Sequence, residues 1–262
     1  MLEVSSAQLS AWMAGMMLPL ARILGMVSSA PLFSSSAVPI RIRVGFGLAA
    51  AVAIVPILPP GPAIDPGSGL GLAIFVQQIF IGVAIGFIMR LVFAAVDLAG
   101  ELIGLQMGLS FATFFDPDAN GQTGVLAEFI GLLATLLFLA LGGHLLMIEV
   151  LVRSFEWIPI RVEPVNAMGW KDVAAAGTLL YAAGLLLALP LITALLITNI
   201  AMAVLTRAAP QINLFAVGFP ITMTAGFAVL LLTLEAFAPV MRMFYDRGFE
   251  AIATMLQTLG AS

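Results

Sequence analysis

Residues Gly69–Met107 read GLGLAIFVQQIFIGVAIGFIMRLVFAAVDLAGELIGLQM, and this apolar stretch decides the class of the protein. Its only charged side chains are Arg90, Asp97 and Glu101. A helix crosses a lipid bilayer with roughly 20 apolar residues. The stretch is therefore long enough for one long helix or for a helical hairpin, and the sequence leaves both open.

The rest of the chain is similarly apolar. Of its 262 residues, 62% are hydrophobic and 9% are charged, whereas a soluble domain carries about 25% charged residues. This composition excludes ordinary cytosolic enzymes, nucleic-acid binders and disordered tails. Because strand alternation is absent and an isolated strand leaves backbone groups unpaired in lipid, we predict an all-α integral membrane protein of long kinked helices and helical hairpins. The apolar blocks are Gln8–Val27, Val38–Leu58, Gly69–Met89, Gly124–Val152, Val173–Asn199 and Ile212–Phe237.

Charges and prolines disturb a simple multi-pass arrangement. With alternating spans, the basic residues divide evenly between the two sides, so the positive-inside rule assigns no orientation. A charged group at the centre of a lipid-exposed helix costs about 2.5–3.5 kcal/mol. Prolines within or at the ends of the blocks favour kinks. We therefore expect the helices to pack mainly against other protein. The prolines concerned are Pro19, Pro56, Pro190 and Pro220.

Two patterns in Gly69–Met107 follow helical spacing. Arg90, Asp97 and Glu101 fall on one helical face and are predicted to form a buried charge cluster, with a proton or cation path as the alternative. Small residues four positions apart let two helix backbones approach closely, within the chain or against a partner subunit. These residues are Gly82 and Gly86, followed by Gly100, Gly104 and Gly108.

The segment Gln106–Gly124, QMGLSFATFFDPDANGQTG, places apolar side chains in a loop. Asp116 precedes a proline, which disfavours the α conformation and ends any helix there. A loop buried under neighbouring helices is one interpretation. The other is a hydrophobic constriction, because a ring of methionine and phenylalanine side chains closes a pore by excluding water. The side chains concerned are Met107, Phe111, Phe114 and Phe115.

The sequence offers no catalytic centre. His144 is the only histidine and cysteine is absent, so metal and thiol sites lack their usual ligands. No glycine-rich phosphate loop is present. We predict that the protein is not an enzyme and needs no metal or cofactor. An intramembrane enzyme using Ser110 and His144 is the weakest of the alternatives.

Three motifs resemble one known family. RAAPQINLFAVGFP, 207–220, resembles the signature of the FliR family of flagellar export-gate proteins. ELIGLQMGLSFATFFDP, 101–117, is similar to the same family, including its position between apolar blocks. So is the spacing of Arg22, Pro31, Pro39 and Arg41.

This resemblance implies a function and partners. The chain would be a non-enzymatic channel subunit of the type III export gate, in the bacterial inner membrane at the flagellar basal body. It would form a ring-like helical pore with FliP and FliQ, through which unfolded flagellar proteins leave the cytoplasm. Residues 1–172 would resemble FliP and residues 173–262 a FliQ hairpin.

The resemblance also implies roles for particular residues. The plug loop of the closed pore would match residues 106–124, with Phe111 and Phe114 in the plugging positions. Met107 would close the resting pore together with them, and Phe115 would be an additional aromatic. A proton-coupled small-molecule transporter using Asp97 and Glu101 remains the alternative, although no inverted repeat is visible. The C-terminal hairpin would be set by Arg207, Pro210, Gln211, Asn213, Phe215, Gly218 and Pro220.

Overall fold

A computed structural model describes residues 6–35, 37–59, 64–65, 67–109, 124–211 and 214–261. These ranges contain seven α-helices, a short 3₁₀ helix at Val55–Ile57 and no strand, which confirms the predicted all-α class. The helices are α1 (Ser6–Ser29), α2 (Ile40–Ile54), α3 (Gly69–Met107), α4 (Val125–Ala140), α5 (Gly143–Trp157), α6 (Met168–Ala208) and α7 (Leu214–Gly260).

The apolar stretch Gly69–Met107 is one continuous helix and not a hairpin. Its 39 residues extend for about 58 Å at roughly 1.5 Å per residue, almost twice the ~30 Å hydrocarbon core of a bilayer. The predicted block ended too early, at Met89. Arg90 and Asp97 are exposed in this second half of the helix, so the helix continues without burying their charges within the chain.

The predicted block Gly124–Val152 is not one straight helix. It breaks at Gly142, where φ is +73°, and the helices α4 and α5 on either side are bent by 64°. A residue in the left-handed region cannot continue a right-handed helix, and glycine enters that region without steric cost. The sequence contains no proline at this break, and the prediction of one block over Gly124–Val152 therefore does not include it.

Several segments are long and apolar enough to cross a membrane. Within the described ranges they are Ile40–Ile57, Gly69–Met107, Met168–Ala208 and Val217–Gly260, and the bent pair α4–α5 makes a fifth if it counts as one span. Several apolar helices of this length identify a membrane protein.

The chain divides into two compact units. Unit 1 comprises Met1–Leu91, Gly142–Gly177 and Arg247–Ser262, and unit 2 comprises Val92–Leu141 and Thr178–Asp246. Neither unit is continuous in sequence, because α3, α6 and α7 each contribute residues to both. The expected division near residue 172 concerns likeness to other subunits and stays a prediction.

Unit 1 is built on close backbone packing between α1 and α3. A Cβ atom placed on Gly25 of α1 would lie 2.6 Å from the Ile79 carbonyl oxygen, and one on Gly86 of α3 would lie 2.6 Å from the Ala30 nitrogen. The hydroxyl of Ser29 also donates to the carbonyl oxygen of Val83 at 3.0 Å. Glycine is required here because any side chain would separate the two helices.

Unit 2 buries an aromatic cluster where α3, α4 and α7 meet. Phe138 packs edge-on against Phe93 and Tyr245, with ring centroids 5.4 and 5.1 Å apart. The buried Tyr245 hydroxyl donates to the Ala134 carbonyl oxygen at 2.6 Å. This bond satisfies the only polar group of the cluster and fixes α7 against α4.

Candidate functional site

The C-terminal end of α3 is shaped by Gly108. Its φ is +81°. The Leu109 N–H donates to the Gly104 carbonyl at 2.9 Å, and the Gly108 N–H donates to the Leu105 carbonyl at 3.1 Å. These two bonds form a Schellman motif, which closes a helix at a left-handed glycine. Gly108 therefore lies just beyond the helix and terminates it, and because the Phe219 ring of α7 lies so close to it, its predicted role in close helix packing stays a prediction.

Residues 219–226 of α7 hold this helix end. Met107 is completely buried, and a Cβ atom on Gly226 would lie 2.6 Å from its Cγ. The Thr222 hydroxyl donates to the Met107 carbonyl oxygen at 3.3 Å, while the Phe219 ring would lie 2.6 Å from a Cβ atom on Gly108. In this conformation Met107 packs inside the chain, between α3 and α7.

The start of α4 is tied to α3 by a carboxylate. Gly124 is the N-cap of α4, and its N–H donates to Glu101 Oε1 at 2.8 Å. A negative group is favourable at the N-terminal end of a helix, where backbone N–H groups are unpaired. Leu109 and Gly124, the described residues that precede and follow positions 110–123, therefore both lie near the last turns of α3. Phe111, Phe114 and Phe115 lie outside the described residues.

The remaining predicted packing glycines lie on the buried side of α3. A Cβ atom on Gly100 would lie 2.9 Å from both the nitrogen and the Cβ of Ala127 in α4, so the two helices touch through their backbones. Gly104 is buried one turn further along.

The charge cluster predicted for Arg90, Asp97 and Glu101 is not buried within the chain itself, and its burial in an assembly stays a prediction. Arg90 and Asp97 are both exposed, and Glu101 is half-buried. The carboxylate of Glu101 is engaged by the Gly124 N–H and not by a cation. Sequence spacing placed the three residues on one helical face, but it did not show that this face is uncovered.

The C-terminal hairpin motif lies at the junction of α6 and α7. Arg207 is an exposed residue in the last turn of α6, where a positive charge suits the negative end of the helix dipole. Pro210 and Gln211 are exposed in the turn that follows. Asn213 lies outside the described residues, as does the side chain of Phe215. Gly218 is buried in the first turns of α7 and Pro220 is exposed there.

These features define an all-α membrane protein in which the end of α3 is held by α7, the start of α4 is held by Glu101, and α3 and α4 touch through their backbones at Gly100. In the described ranges no group of three or more histidine or acidic side chains could hold a metal ion.

The chain belongs to the family described as bacterial export proteins, family 1, whose model matches residues 13–248. It is 42% identical to the flagellar biosynthetic protein FliR of Escherichia coli (strain K12) over 99% of both chains. It is 42% identical to the FliR protein of Pectobacterium carotovorum subsp. carotovorum over the full length of both. With FliR of Bacillus subtilis (strain 168) it shares 26% identity over 92% of this chain and 94% of that protein. The family predicted from the three sequence motifs is therefore confirmed.

Proposed function

We propose that this protein is a channel subunit of the flagellar type III export gate in the bacterial inner membrane, at the flagellar basal body. It assembles with FliP-like and FliQ-like subunits into a ring-like helical pore that passes unfolded flagellar proteins. The observation that carries the proposal is full-length similarity to flagellar FliR proteins. The sequence contains no nucleotide-binding loop, so the driving energy comes from other components.

The surface of α3 supports a role inside an assembly. Arg90 and Asp97 are exposed in the second half of a helix that is otherwise highly apolar. Each would cost about 2.5–3.5 kcal/mol at the centre of a lipid-facing helix. A neighbouring subunit or a water-filled passage removes this cost. Large apolar side chains such as Ile57 and Leu232, 70% and 81% exposed, are covered by lipid or by sister subunits.

The plug of the closed pore is proposed for segment 106–124, with Phe111 and Phe114 as the plugging side chains and Phe115 beside them. Both ends of the segment are held at the end of α3, by the Schellman motif at Gly108 and by the Glu101 contact. Apolar rings in a narrow passage exclude water and therefore ions. Met107 supports the base of this loop.

Helix packing and topology complete the proposal. Gly100 and Gly104 allow tight packing next to the plug. Residues 1–172 correspond to a FliP-like region and residues 173–262 to a FliQ-like hairpin. The turn between the two hairpin helices is set by Arg207, Pro210, Gln211, Asn213, Phe215, Gly218 and Pro220.

The plug is tested with the double variant Phe111→Ala/Phe114→Ala in the assembled complex, reconstituted in a planar bilayer. We expect a resting ion conductance well above that of the wild type, because methyl groups do not close the passage to water. Phe129→Ala is the matched control, since Phe129 is a half-exposed phenylalanine on α4, outside the loop. A resting conductance equal to that of the wild type rejects the plug.

Assembly is tested separately by purifying the tagged chain in mild detergent and identifying by mass spectrometry what accompanies it. We expect FliP-like and FliQ-like subunits in fixed proportion to the chain. Recovery of a stable monomer that supports export without companions rejects the channel-subunit proposal, whatever the conductance of the plug variant.

A further inference from the structure

Arg22 of α1 is the largest fully buried polar side chain in the described ranges, with no exposed surface. Its Nε and Nη2 donate to Gln78 Oε1 of α3, at 2.8 and 2.5 Å. Nη1 donates to the carbonyl and the hydroxyl of Ser154, at 2.7 and 3.1 Å. Nη2 also donates to the Ile158 carbonyl at 2.9 Å. All five N–H donors of the guanidinium are thereby used.

None of these acceptors is a carboxylate, so the positive charge is stabilised in another way. Ser154 lies in the last turn of α5 and Ile158 is the C-cap residue, whose N–H donates to the Ser154 carbonyl at 2.9 Å. Backbone carbonyls at this end of a helix carry a partial negative charge. The Phe155 ring lies 4.2 Å from the guanidinium carbon and adds a cation–π contact. The end of α5 therefore acts as the counter-charge of Arg22.

The segment that follows, 158–167, caps a second helix end. The Asn166 N–H donates to the Leu259 carbonyl at 3.1 Å, and Asn166 Nδ2 donates to the Ala261 carbonyl at 2.8 Å. Arg161 Nη2 donates to the Gly260 carbonyl at 3.3 Å. The last carbonyls of α7 are thus satisfied by residues nearly one hundred positions earlier in the chain.

The contacts of Arg22 with the end of α5 and the contacts of Asn166 with the end of α7 are joined by segment 158–167, and all of these residues belong to unit 1. Ile158, whose carbonyl accepts from Arg22, begins the segment whose Asn166 captures the end of α7. A Cβ atom on Gly260 would collide with the Trp157 carbonyl oxygen, so the end of α7 also packs directly on the end of α5.

We propose that Arg22 is a positioning residue that couples the N-terminal helix to the C-terminal turn. By fixing the end of α5, it holds segment 158–167 in the conformation that captures Leu259–Ala261. The N-terminal and C-terminal helices then close together as one clasp, defined here as Arg22, the end of α5, Asn166 and the last turn of α7. The clasp does not depend on the plug or on the identity of partner subunits.

The test is hydrogen exchange, followed by mass spectrometry, on the full chain purified with its companion subunits. In Arg22→Met, peptides covering Asn166 and the last turn of α7 exchange about tenfold faster than in the wild type, because a lost hydrogen bond to a charged group changes an opening equilibrium by about that factor. Arg242→Met is the matched control, since Arg242 is an exposed arginine of α7, and it exchanges as the wild type does.

The contribution of Asn166 is measured separately with Asn166→Ala, which removes the side-chain bond to the Ala261 carbonyl. This variant accelerates exchange of the last turn of α7 and is the reference for the Arg22 variants. If Arg22→Met accelerates exchange in α1 and α5 but leaves the end of α7 as protected as in the wild type, the coupling is overturned.

A third variant covers the case in which Arg22→Met fails to assemble. Arg22→Lys keeps the charge but has only one nitrogen, which cannot reach all the acceptors of the guanidinium. We expect exchange at Asn166 between that of the wild type and that of Asn166→Ala. Wild-type exchange in Arg22→Lys also overturns the proposal.

Discussion

Replacing Gly25 by alanine tests whether backbone contact between α1 and α3 organises unit 1. The added Cβ would lie 2.6 Å from the Ile79 carbonyl oxygen, 3.1 Å from the Val83 nitrogen and 3.3 Å from the Gly82 Cα. All three are backbone atoms of a long helix and cannot rotate away. The matched control is Gly15→Ala in the same helix, where nothing lies within 4 Å of the added methyl group.

The expected cost follows from these distances. Restoring ordinary contact means that α1 must move away by roughly 0.5–0.8 Å, and overpacking of this kind costs about 1–3 kcal/mol. The Ser29 bond to the Val83 carbonyl, at 3.0 Å, is stretched past hydrogen-bonding range and loses about 1 kcal/mol. Replacing glycine by alanine inside a helix also stabilises that helix by about 1 kcal/mol. Gly25→Ala is therefore destabilised by about 1–3 kcal/mol, while Gly15→Ala gains up to about 1 kcal/mol.

Thermal unfolding of the purified complex measures the difference between the two variants. Tryptophan fluorescence reports on unit 1 through Trp157 and Trp170. For a chain of this size, 1 kcal/mol corresponds to about 2–4 °C, so Gly25→Ala should melt about 2–16 °C below Gly15→Ala at the same scan rate. If Gly25→Ala melts at or above its control, the contact between the two backbones does not constrain the helices, and the reasoning is refuted.

Two further substitutions test unit 2 with controls from the same chain. Gly108→Ala places a Cβ atom 2.6 Å from the Phe219 ring at a φ of +81°. Its control is Gly142→Ala, where φ is +73° and the space is open. Gly108→Ala should be destabilised by about 1–3 kcal/mol more than the control, and equal melting temperatures of the two variants would contradict this. Tyr245→Phe removes the 2.6 Å bond to the Ala134 carbonyl and should lower stability by about 1 kcal/mol. The exposed Tyr181 provides the control Tyr181→Phe, and a loss of the same size there would show that the bond contributes nothing.

The glycine contacts show how far sequence spacing reaches. Glycines four residues apart in Gly69–Met107 identify one side of a helix that can approach another backbone closely, and Gly82, Gly86 and Gly100 do lie against other helices. Spacing does not identify the facing helix. Gly25, the counterpart on α1, has Ala21 and Ser29 four residues away on either side, a small-residue spacing that a search for glycines alone does not include.

The charged residues show the opposite limit. Arg90, Asp97 and Glu101 share a helical face by spacing, yet the structure leaves two of them exposed and gives the third a backbone N–H as its partner. Exposure depends on which elements cover that face, and this depends on the path of the whole chain. A periodic pattern in one helix carries no information about that path.

Composition and motifs determined the class, because the free energy of placing apolar side chains in lipid is a sum over residues and does not depend on their order in space. The all-α membrane class followed from the sequence for this reason, and the export family followed from the resemblance of three motifs to that family. Tertiary structure alone decided that α3 is continuous, that Gly142 breaks α4 from α5, and that Arg22 binds carbonyls 132 and 136 positions away. Hydrogen bonds and close packing act over a few ångströms, so their partners are fixed only when distant segments meet.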